Sequence, residues 1–284
     1  MIIAASQEGQ LCNRLFHFSH LISHAVNSGN RLWYPFFKEY AHYFPNLNRK
    51  SLDDLQISIY SNQLIRSILP RLTSFLSKRH QDLSFLTYIK ADREIIDLSS
   101  IPQKIIRNNL LALDGWLFRD TNYFVDNASL IRGLFQFSST LEDAVIKLVK
   151  GIKNKSGTYL VGVHIRRGDY AQWENGRYYF DDEAYLSFIN QTSLLLSKHG
   201  RKVNFIICSN EPITSTSPLH NASNITVHHK TAIEDLCLMS KCDFLIGPPS
   251  SFTSWASFMG EVPLLHIKSL TQKFTAEQFK ISAG

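Results

Sequence analysis

The sequence predicts an α/β protein with parallel sheets, arranged as two similar lobes. Short apolar runs alternate with segments of helical periodicity throughout the second half of the chain, which is the pattern of parallel strands joined by helices. The turn-rich stretch KNKSGTY separates this half from the first. The 284 residues, 44% of them apolar and 19% charged, are enough for two packed cores. We therefore expect one lobe over residues 1–150 and a second over residues 151–284.

The first half begins with a strand, a glycine-containing loop and a helix. MIIAAS is the predicted strand, and EGQLCN belongs to the loop. In the helix that follows, apolar side chains recur at helical spacing, at Leu15, Phe18, Leu21, Ile22 and Val26. Gly29 is expected to end this helix. RLWYPF then predicts a second strand, which ends before Pro35 or lies at a sheet edge.

The pattern is less regular between residues 40 and 105. Residues 53–80 have helical periodicity interrupted by Pro70, which predicts two helices or one kinked helix.

NLLALDGWLF then predicts a buried strand that ends in a turn. Residues 121–152 are predicted to be mostly helical, with a break near FQFSST.

The second half predicts a regular alternation of strands and helices. The predicted strands are YLVGVHI, VNFIICS, ITVHH, DFLIG and VPLLHI. The predicted helices cover residues 181–200, 232–242 and 252–260.

The charge balance favours anionic partners. The chain has 30 basic and 24 acidic residues and a net charge of +6, and such a chain attracts nucleic acid, phosphorylated metabolites or anionic lipid surfaces. The basic residues are spread along the sequence. A phosphate-bearing small molecule therefore explains the charge as well as nucleic acid does.

Composition also indicates a cytoplasmic protein without a bound metal. No apolar run is long enough to span a bilayer, and MIIAASQEGQ lacks the regions of a signal peptide. Cys12, Cys208, Cys237 and Cys242 lie mostly in apolar surroundings, which favours reduced thiols in the core over disulfides. The spacing of Cys237 and Cys242 fits no structural zinc pattern, and the sequence contains no other metal-binding motif.

The most informative stretch is LVGVHIRRGDYAQW, in which a strand ends in His164, Arg166, Arg167 and Asp169. Ligands of open parallel sheets bind at the carboxyl ends of the strands, and the planar Arg guanidinium forms paired hydrogen bonds with phosphate. Neighbouring residues of an extended segment point in opposite directions. We therefore expect one arginine to face a ligand and the other to pair with a carboxylate such as Asp169. An exposed ion pair on a loop explains the same residues without any ligand.

A second strand end, GPPSSFTSW, places Ser250 and Ser251 just before a helix. Hydroxyls and free amides at a helix N-terminus bind anions, although helix capping by serine explains these residues equally well. Both strand ends lie at the carboxyl edge of one predicted sheet. This shared position favours a phosphate-binding site there.

Acidic residues begin two other predicted helices. Glu234 and Asp235 are interpreted by default as favourable charges at a helix N-terminus, and a carboxylate there can alternatively accept hydrogen bonds from a base or a sugar. Asp181, Asp182 and Glu183 in DDEAYL are interpreted as helix-capping residues.

Several stretches together resemble the α-1,2-fucosyltransferase family and its relatives, the α-1,6- and protein O-fucosyltransferases. VGVHIRRGDY resembles the His-x-Arg-Arg-x-Asp motif of these enzymes, and GQLCNRLF resembles their opening Gly-x-x-Gly-Asn loop. LDGWLFRDTNYF, IRGLFQF, CSN, IEDLCLMSKCDFLIG and SSFTSWASFMG follow in the family's order and spacing. The resemblance covers most of the chain except about residues 40–105.

The resemblance implies a GT-B-like architecture of two Rossmann-like lobes with an interlobe cleft. Its implied donor-binding residues are His164 beside the nucleoside, Arg166 at the β-phosphate, Asp235 at guanine, and Ser250, Ser251 and Phe252 around the diphosphate. Asn13 matches the opening-loop residue near the reaction centre. With Arg166 and with Asp169, which we expect to orient an arginine of the motif, it completes the expected catalytic set.

We therefore expect an inverting, metal-independent enzyme that transfers L-fucose from GDP-β-L-fucose to a hydroxyl of a glycan. An α-1,2 linkage is favoured, although GPPSSF leans towards the α-1,6 branch. Another nucleotide sugar is an alternative. So is a catalytically inactive GDP-sugar- or glycan-binding protein, because Cys12 replaces the second glycine of the opening loop.

Two further expectations concern partners. A nucleic-acid binder is disfavoured because the sequence lacks an RNA motif that combines aromatic and basic residues. The basic surface favours a peripheral position at a membrane that carries lipid-linked glycans.

Overall fold

The computed structural model describes residues 1–7, 9–79, 86–91, 93–102, 105, 110–153, 157–197 and 200–283. These residues form two compact units, residues 1–138 and residues 139–283. Five stretches singled out in the sequence fall partly outside the described residues. These parts are Glu8 of the opening loop, His80 of the helical segment 53–80, Asn109 of NLLALDGWLF, residues 154–156 of KNKSGTY and residues 198–199 of the helix predicted over 181–200.

The first unit is built on a parallel five-stranded sheet. The strands of this unit, including two that lie outside the five-stranded sheet, are β1 (Ile2–Ala4), β2 (Leu32–Trp33), β3 (Ile57–Ser58), β4 (Leu86–Ala91), β5 (Ile96–Asp97), β6 (Leu110–Gly115) and β7 (Phe118–Arg119). Its α-helices are α1 (Leu11–Ser28), α2 (Arg49–Asp54), α3 (Gln63–Arg79), α4 (Thr121–Asp126) and α5 (Ala128–Leu134). The sheet order is β3-β2-β1-β6-β4, and β5 pairs separately with β7.

The second unit repeats this architecture with longer strands. Its strands are β8 (Tyr159–Ile165), β9 (Val203–Ser209), β10 (Ile225–His228), β11 (Phe244–Gly247) and β12 (Leu264–His266). Its α-helices are α6 (Ser139–Lys153), α7 (Asp182–Leu196), α8 (Ala232–Met239) and α9 (Ser251–Gly260). The sheet order is β10-β9-β8-β11-β12, and these strands pair in parallel. The predicted α/β class with parallel sheets is therefore confirmed.

Helix α1 forms and ends as its sequence predicts. Leu15, Phe18, Leu21 and Ile22 have no exposed surface, so the apolar face lies in the core of the first unit. Gly29 adopts a left-handed conformation with φ of 67°, and its N–H bonds to carbonyl groups of the last helical turn. A residue without Cβ takes this conformation with little strain, which explains the helix end.

Residues 40–105 contain strands that the sequence did not reveal. Pro70 lies inside one helix, α3, which begins at Gln63, so the helical prediction for residues 53–80 is confirmed only for the second part of that segment. Its first part contains the strand β3 instead. Strand β3 has only two residues, too few for an alternating pattern, and β4 is an edge strand in which only Leu86 and Ala91 are buried. Neither strand therefore carries a clear periodicity.

Helix α6 belongs to the second unit, which begins at Ser139. The boundary expected from the sequence, after residue 150, lies near the end of this helix instead. Ion pairs tie both of its ends to that unit. Lys241 Nζ lies 2.7 Å from Glu142 Oε1 near the start of the helix, and Lys153 Nζ lies 2.7 Å from Asp243 Oδ2 at its end. The turn-rich stretch after the helix is thus a connection within the second unit.

None of the helices in the described ranges is both long and apolar enough to cross a membrane.

Three buried histidines lie on one side of α1. His17 Nδ1 is 3.0 Å from the Tyr34 hydroxyl, and His20 Nδ1 accepts the Asp120 backbone N–H at 3.1 Å. His24 Nδ1 donates to Asp120 Oδ2 at 2.6 Å. Burial lowers the pKa of both His17 and His20 to about 3. These two imidazoles are therefore neutral in the folded protein.

The neutral histidines predict a loss of stability in acid. In the unfolded chain they bind protons below pH 6.5, whereas in the folded chain they do so only near pH 3. The unfolding free energy should therefore be highest above pH 6.5 and fall as the pH drops, by about 1.4 kcal/mol per pH unit for each histidine. In urea unfolding between pH 6 and pH 5, His17→Gln should reduce this slope by about one histidine's share. The exposed-site control His229→Gln should keep the wild-type slope, and an unchanged slope in both variants would contradict the prediction.

The Asp120 side chain is expected to contribute strongly to the unfolding free energy. Its Oδ1 accepts the Tyr123 N–H at the start of α4 while its Oδ2 accepts from His24, and the side chain is 1% exposed. Asp120→Ala removes a helix cap and leaves His24 unpaired, so the unfolding free energy should fall by about 2–4 kcal/mol. Asp126→Ala, an exposed site on the same helix, should change it by less than about 0.5 kcal/mol. Thermal or urea unfolding that gives similar values for both would refute this assignment.

Candidate active site at the carboxyl edge of the second sheet

In the sheet of the second unit, the order in which the chain adds strands reverses between β8 and β11. The chain leaves β8 towards β9 on one side and leaves β11 towards β12 on the other. In parallel sheets a crevice opens at the carboxyl ends of two strands that diverge in this way, and ligands bind there. The two strand ends singled out in the sequence, HIRRGDY and GPPSSF, both lie at this point.

Glycines allow β8 and β11 to pack closely at this edge. A Cβ at Gly247 would lie 2.9 Å from the His164 carbonyl oxygen and 3.0 Å from the His164 Cβ. A Cβ at Gly162 would lie 2.6 Å from the Met239 sulfur. The distances of 2.9 and 2.6 Å are too short for a real Cβ, so a larger residue at Gly247 or Gly162 would push its neighbours apart.

His164 is buried under Phe252. Its residue surface is 4% exposed, and its ring stacks on the Phe252 ring with centroids 4.8 Å apart. Burial, together with the charge of Arg166, lowers the His164 pKa to about 3. The imidazole is therefore neutral, with one N–H donor and one acceptor nitrogen.

The two adjacent arginines point to different partners, as extended backbone requires. Arg166 Nη2 lies 3.0 Å from Asp169 Oδ2, in an ion pair whose carboxylate side chain is 60% exposed. Arg167 pairs instead with Asp182 at the first turn of α7, where both side chains are mostly buried. Asp169 thus contacts Arg166, the arginine that the family resemblance assigns to the donor. The other arginine pairs with Asp182 and not, as expected, with Asp169. Asp182 is a tertiary contact and not the helix cap expected, because Asp181 occupies the cap and accepts the Ala184 N–H at 2.8 Å.

Asn210 holds the loop after β8 against the end of β9. Its Oδ1 accepts the Arg167 backbone N–H at 2.7 Å, and its Nδ2 donates to the Arg167 carbonyl at 3.3 Å. Gly168 then turns the chain with φ of 61°, where a Cβ would lie 3.1 Å from Glu211 Oε1. Asn210 was not identified from the sequence as a loop-holding residue, although its position just after a predicted strand is a signal for one.

Tyr170 joins the two strand ends. Its hydroxyl donates to the Pro249 carbonyl at 2.5 Å, and the Arg166 Cζ lies 5.5 Å from the centroid of its ring. The residue is 8% exposed, and burial raises the pKa of its hydroxyl. Tyr170 therefore keeps a hydrogen-bonding phenol between the arginine and the loop that precedes α9. No pattern in the sequence singles out Tyr170 for this role.

Ser250 and Ser251 begin α9 as expected. Ser250 is the N-cap, and its Oγ accepts the Phe252 N–H at 3.1 Å while its carbonyl accepts the Thr253 hydroxyl at 3.1 Å. Ser251 is the first helical residue. The first turn of a helix has N–H groups without partners inside the helix, and its dipole favours negative charge. Both the capping role and a surface suited to an anion are thus present.

Asp235 takes part in a buried polar cluster at the same edge of the sheet. Its Oδ1 lies 2.7 Å from His228 Nδ1, and potential ligand atoms of Cys208, His228 and Asp235 all lie within 4.8 Å of one another. Glu234 forms the capping box with Thr231, so Asp235 is not needed as a cap. Burial, followed by the negative charge of Asp235, raises the pKa of Cys208 well above its usual value. This residue is therefore a neutral thiol, consistent with the expected reduced core cysteines, which are all buried and unbridged.

Asn13 lies in the first unit, where the opening loop turns back onto α1. Gly9 has φ of 71°, and a Cβ there would lie 2.7 Å from Asn13 Cβ. Cys12 is the second residue of α1 and is 5% exposed. Its side chain is thus part of the core, and Gly9 supplies the left-handed turn next to Asn13.

The Arg167–Asp182 ion pair is expected to contribute measurably to the unfolding free energy. Asp182→Asn leaves a largely buried guanidinium without its charged acceptor, so the unfolding free energy should fall by about 1.5–3 kcal/mol. Glu183→Gln removes a charge from an exposed position in the same helical turn and should change it by less than about 0.5 kcal/mol. Chemical unfolding of both variants tests this, and equal effects would show that the pair stabilises only through the helix dipole.

Solved structures that are similar to this chain include fucosyltransferases. A crystal structure of NodZ α-1,6-fucosyltransferase soaked with GDP-fucose aligns over 94% of this chain and 94% of that chain, with a TM-score of 0.54 and 15% identity. A mutant of Arabidopsis thaliana FUT1 in complex with GDP aligns over 98% of this chain and 73% of that chain, with a TM-score of 0.62 and 11% identity. POFUT1 in complex with GDP aligns over 92% and 94%, with a TM-score of 0.53 and 11% identity. At these identities the likeness shows a shared fold, and it agrees with the expected GT-B-like class.

Comparison with curated protein sequences finds no match. The sequence model of glycosyl transferase family 11 matches residues 66–280, which is well over half of the chain and includes both strand ends of the site. This match confirms the family relationship expected from the His-x-Arg-Arg-x-Asp motif. The chain belongs to glycosyl transferase family 11.

Proposed function

We propose that the protein transfers L-fucose from GDP-β-L-fucose to a hydroxyl of a glycan, with inversion at the anomeric carbon and an α-1,2 linkage. Membership of glycosyl transferase family 11 supports glycosyl transfer. The choice of donor is supported by neighbours of the same fold, a NodZ structure soaked with GDP-fucose and a POFUT1 structure in complex with GDP-fucose. An α-1,6 linkage is the second candidate, because the named activity of NodZ is α-1,6 transfer.

The observation that carries the proposal is the contact of Tyr170 with both strand ends. Through it the Arg166 guanidinium and the loop before α9 share one neighbour, at the sheet edge where ligands of this fold class bind. A departing GDP develops negative charge on its β-phosphate. A fixed guanidinium, a phenol and the first-turn amides of α9 are suited to stabilise that charge as it forms.

Asp235 is proposed to accept hydrogen bonds from guanine. The Asp235 side chain is 8% exposed, and its carboxylate is held by His228, which fixes its direction. Guanine offers two adjacent N–H donors on one edge, and a carboxylate matches such a pair. His164, neutral and next to Phe252, is proposed to lie beside the nucleoside.

The proposed catalytic set combines Arg166, Asp169 and Asn13. Asp169 is a positioning residue here, because its carboxylate contacts Arg166 at 3.0 Å and so limits the directions that the guanidinium can take. Arg166 acts on the leaving diphosphate. Asn13 is proposed, from the family resemblance, to act near the reaction centre.

The reaction is proposed to need no metal ion. Positive charge for the diphosphate is available from Arg166 and the dipole of α9. In the Cys208–His228–Asp235 cluster three potential ligand atoms lie within 4.8 Å of one another, and two of them are already bonded to each other. In that cluster Asp235 already accepts a hydrogen bond from His228 Nδ1.

Arg166→Ala is the direct test. Removing the guanidinium should weaken GDP binding by about 10- to 150-fold, the loss of a charge-assisted hydrogen bond, and should lower fucose transfer by about 10²- to 10³-fold. Titration calorimetry with GDP and GDP-fucose in the presence of EDTA measures the binding, and product analysis of a glycan acceptor screen measures transfer and linkage.

Arg201→Ala is the matched control, because Arg201 stacks on Tyr159 at the amino end of β8, away from the proposed site. It should bind GDP like the wild type. No GDP binding by the wild type, or equal binding by both variants, would overturn the donor site. Loss of binding in EDTA that Mn²⁺ or Mg²⁺ restores would overturn metal independence alone.

A further inference from the structure

Helix α3 of the first unit exposes a row of large apolar side chains. The exposed fractions are 65% for Leu64, 47% for Ile68, 50% for Leu72 and 51% for Phe75. At 3.6 residues per turn these four positions fall within an arc of about 80° and extend over about 16 Å of the helix axis. Single exposed apolar residues are common on protein surfaces, but an aligned row marks an interaction surface.

The side of α3 next to this row faces its own unit. Ile65 and Leu69 are partly buried, and the helix contacts β4 and the short helix Pro35–Phe37. The helix therefore has one side attached to the fold and one apolar side exposed to the surroundings.

The charge of this segment is uniformly positive. No acidic residue occurs between Asp54 and Asp82, whereas α3 contains Arg66, Arg71, Lys78 and Arg79. Arg71 is exposed, and its position on the helix adjoins that of Leu64 at the edge of the apolar row. An apolar row combined with basic residues and no acids is the pattern of helices that lie in the interface of an anionic bilayer.

We propose that the exposed face of α3, formed by Leu64, Ile68, Leu72 and Arg71, docks the protein on an anionic lipid surface. The aliphatic side chains enter the boundary between head groups and acyl chains, and the basic residues contact lipid phosphates. The helix lies parallel to the membrane plane in this arrangement and does not cross it. The proposal does not depend on the donor or on the linkage proposed above.

Charge favours lipid over a second copy of the chain as the partner. Two copies that meet through this face would bring Arg71 of each copy to the interface without any acid from either helix, and like charges at an interface oppose association. An anionic bilayer supplies the missing negative charge over an extended area.

Vesicle binding by the full chain tests the proposal. Wild-type protein should sediment with vesicles of phosphatidylcholine and phosphatidylglycerol at least about tenfold more strongly than with phosphatidylcholine alone, and added salt should weaken the binding. Ile68→Asp with Leu72→Asp should reduce binding to anionic vesicles at least about tenfold. Arg71→Glu, which leaves the apolar row intact, should reduce it severalfold.

Leu194→Asp is the matched control, since Leu194 is 73% exposed on α7 of the second unit. It should bind vesicles like the wild type, and GDP binding should be the same in all variants, which separates membrane docking from the donor site. Equal vesicle binding by wild type and the α3 variants would overturn the proposal. So would light scattering that shows a dimer in the wild type and a monomer in Ile68→Asp with Leu72→Asp, because the face would then be an interface between copies.

Discussion

The close approach of β8 and β11 is the constraint on which the candidate site depends. A Cβ at Gly247 would collide with the carbonyl oxygen and the Cβ of His164, and a Cβ at Gly162 would collide with the Met239 sulfur. With these strands in contact, the chain segments that leave them must begin at the same place. That shared starting point allows Tyr170, on one segment, to donate to Pro249 on the other. The interaction surface of the site is therefore a consequence of backbone packing in the sheet.

Burial then sorts the charged groups at this edge into separate roles. His164 is neutral because burial under Phe252 lowers its pKa to about 3, and Arg167 is held in an ion pair with Asp182 in which both side chains are mostly buried. Arg166 differs from both, since its partner Asp169 is 60% exposed and is shared with solvent. An incoming anion can compete for a guanidinium whose carboxylate is hydrated far more easily than for one in a closed pair. The geometry thus leaves Arg166 as the arginine available to a diphosphate.

Local sequence patterns predicted the elements that have a regular period. The strands of the second unit are continuous apolar runs because both faces of its sheet are covered, and α1 has a clean apolar face with Gly29 at its end. The same approach failed for β3 and β4, which are too short or too exposed to have a pattern. It also missed contacts across long sequence separations. Asn210 is 43 residues from Arg167 and Pro249 is 79 residues from Tyr170, and only the sheet order brings such pairs together.

Acidic residues at helix starts show where sequence reasoning can be improved. A helix has one N-cap, and in α7 Asp181 fills it, so Asp182 remains free of that duty and pairs with Arg167. In α8 the capping box takes Thr231 and Glu234, and Asp235 bonds to His228 instead. Where more acids begin a helix than its capping positions can use, the additional acid must either be solvated or find a tertiary partner. In this chain Glu183 is exposed to solvent, whereas Asp182 and Asp235 are mostly buried. The two buried acids lie at the edge of the sheet where the charged strand ends meet.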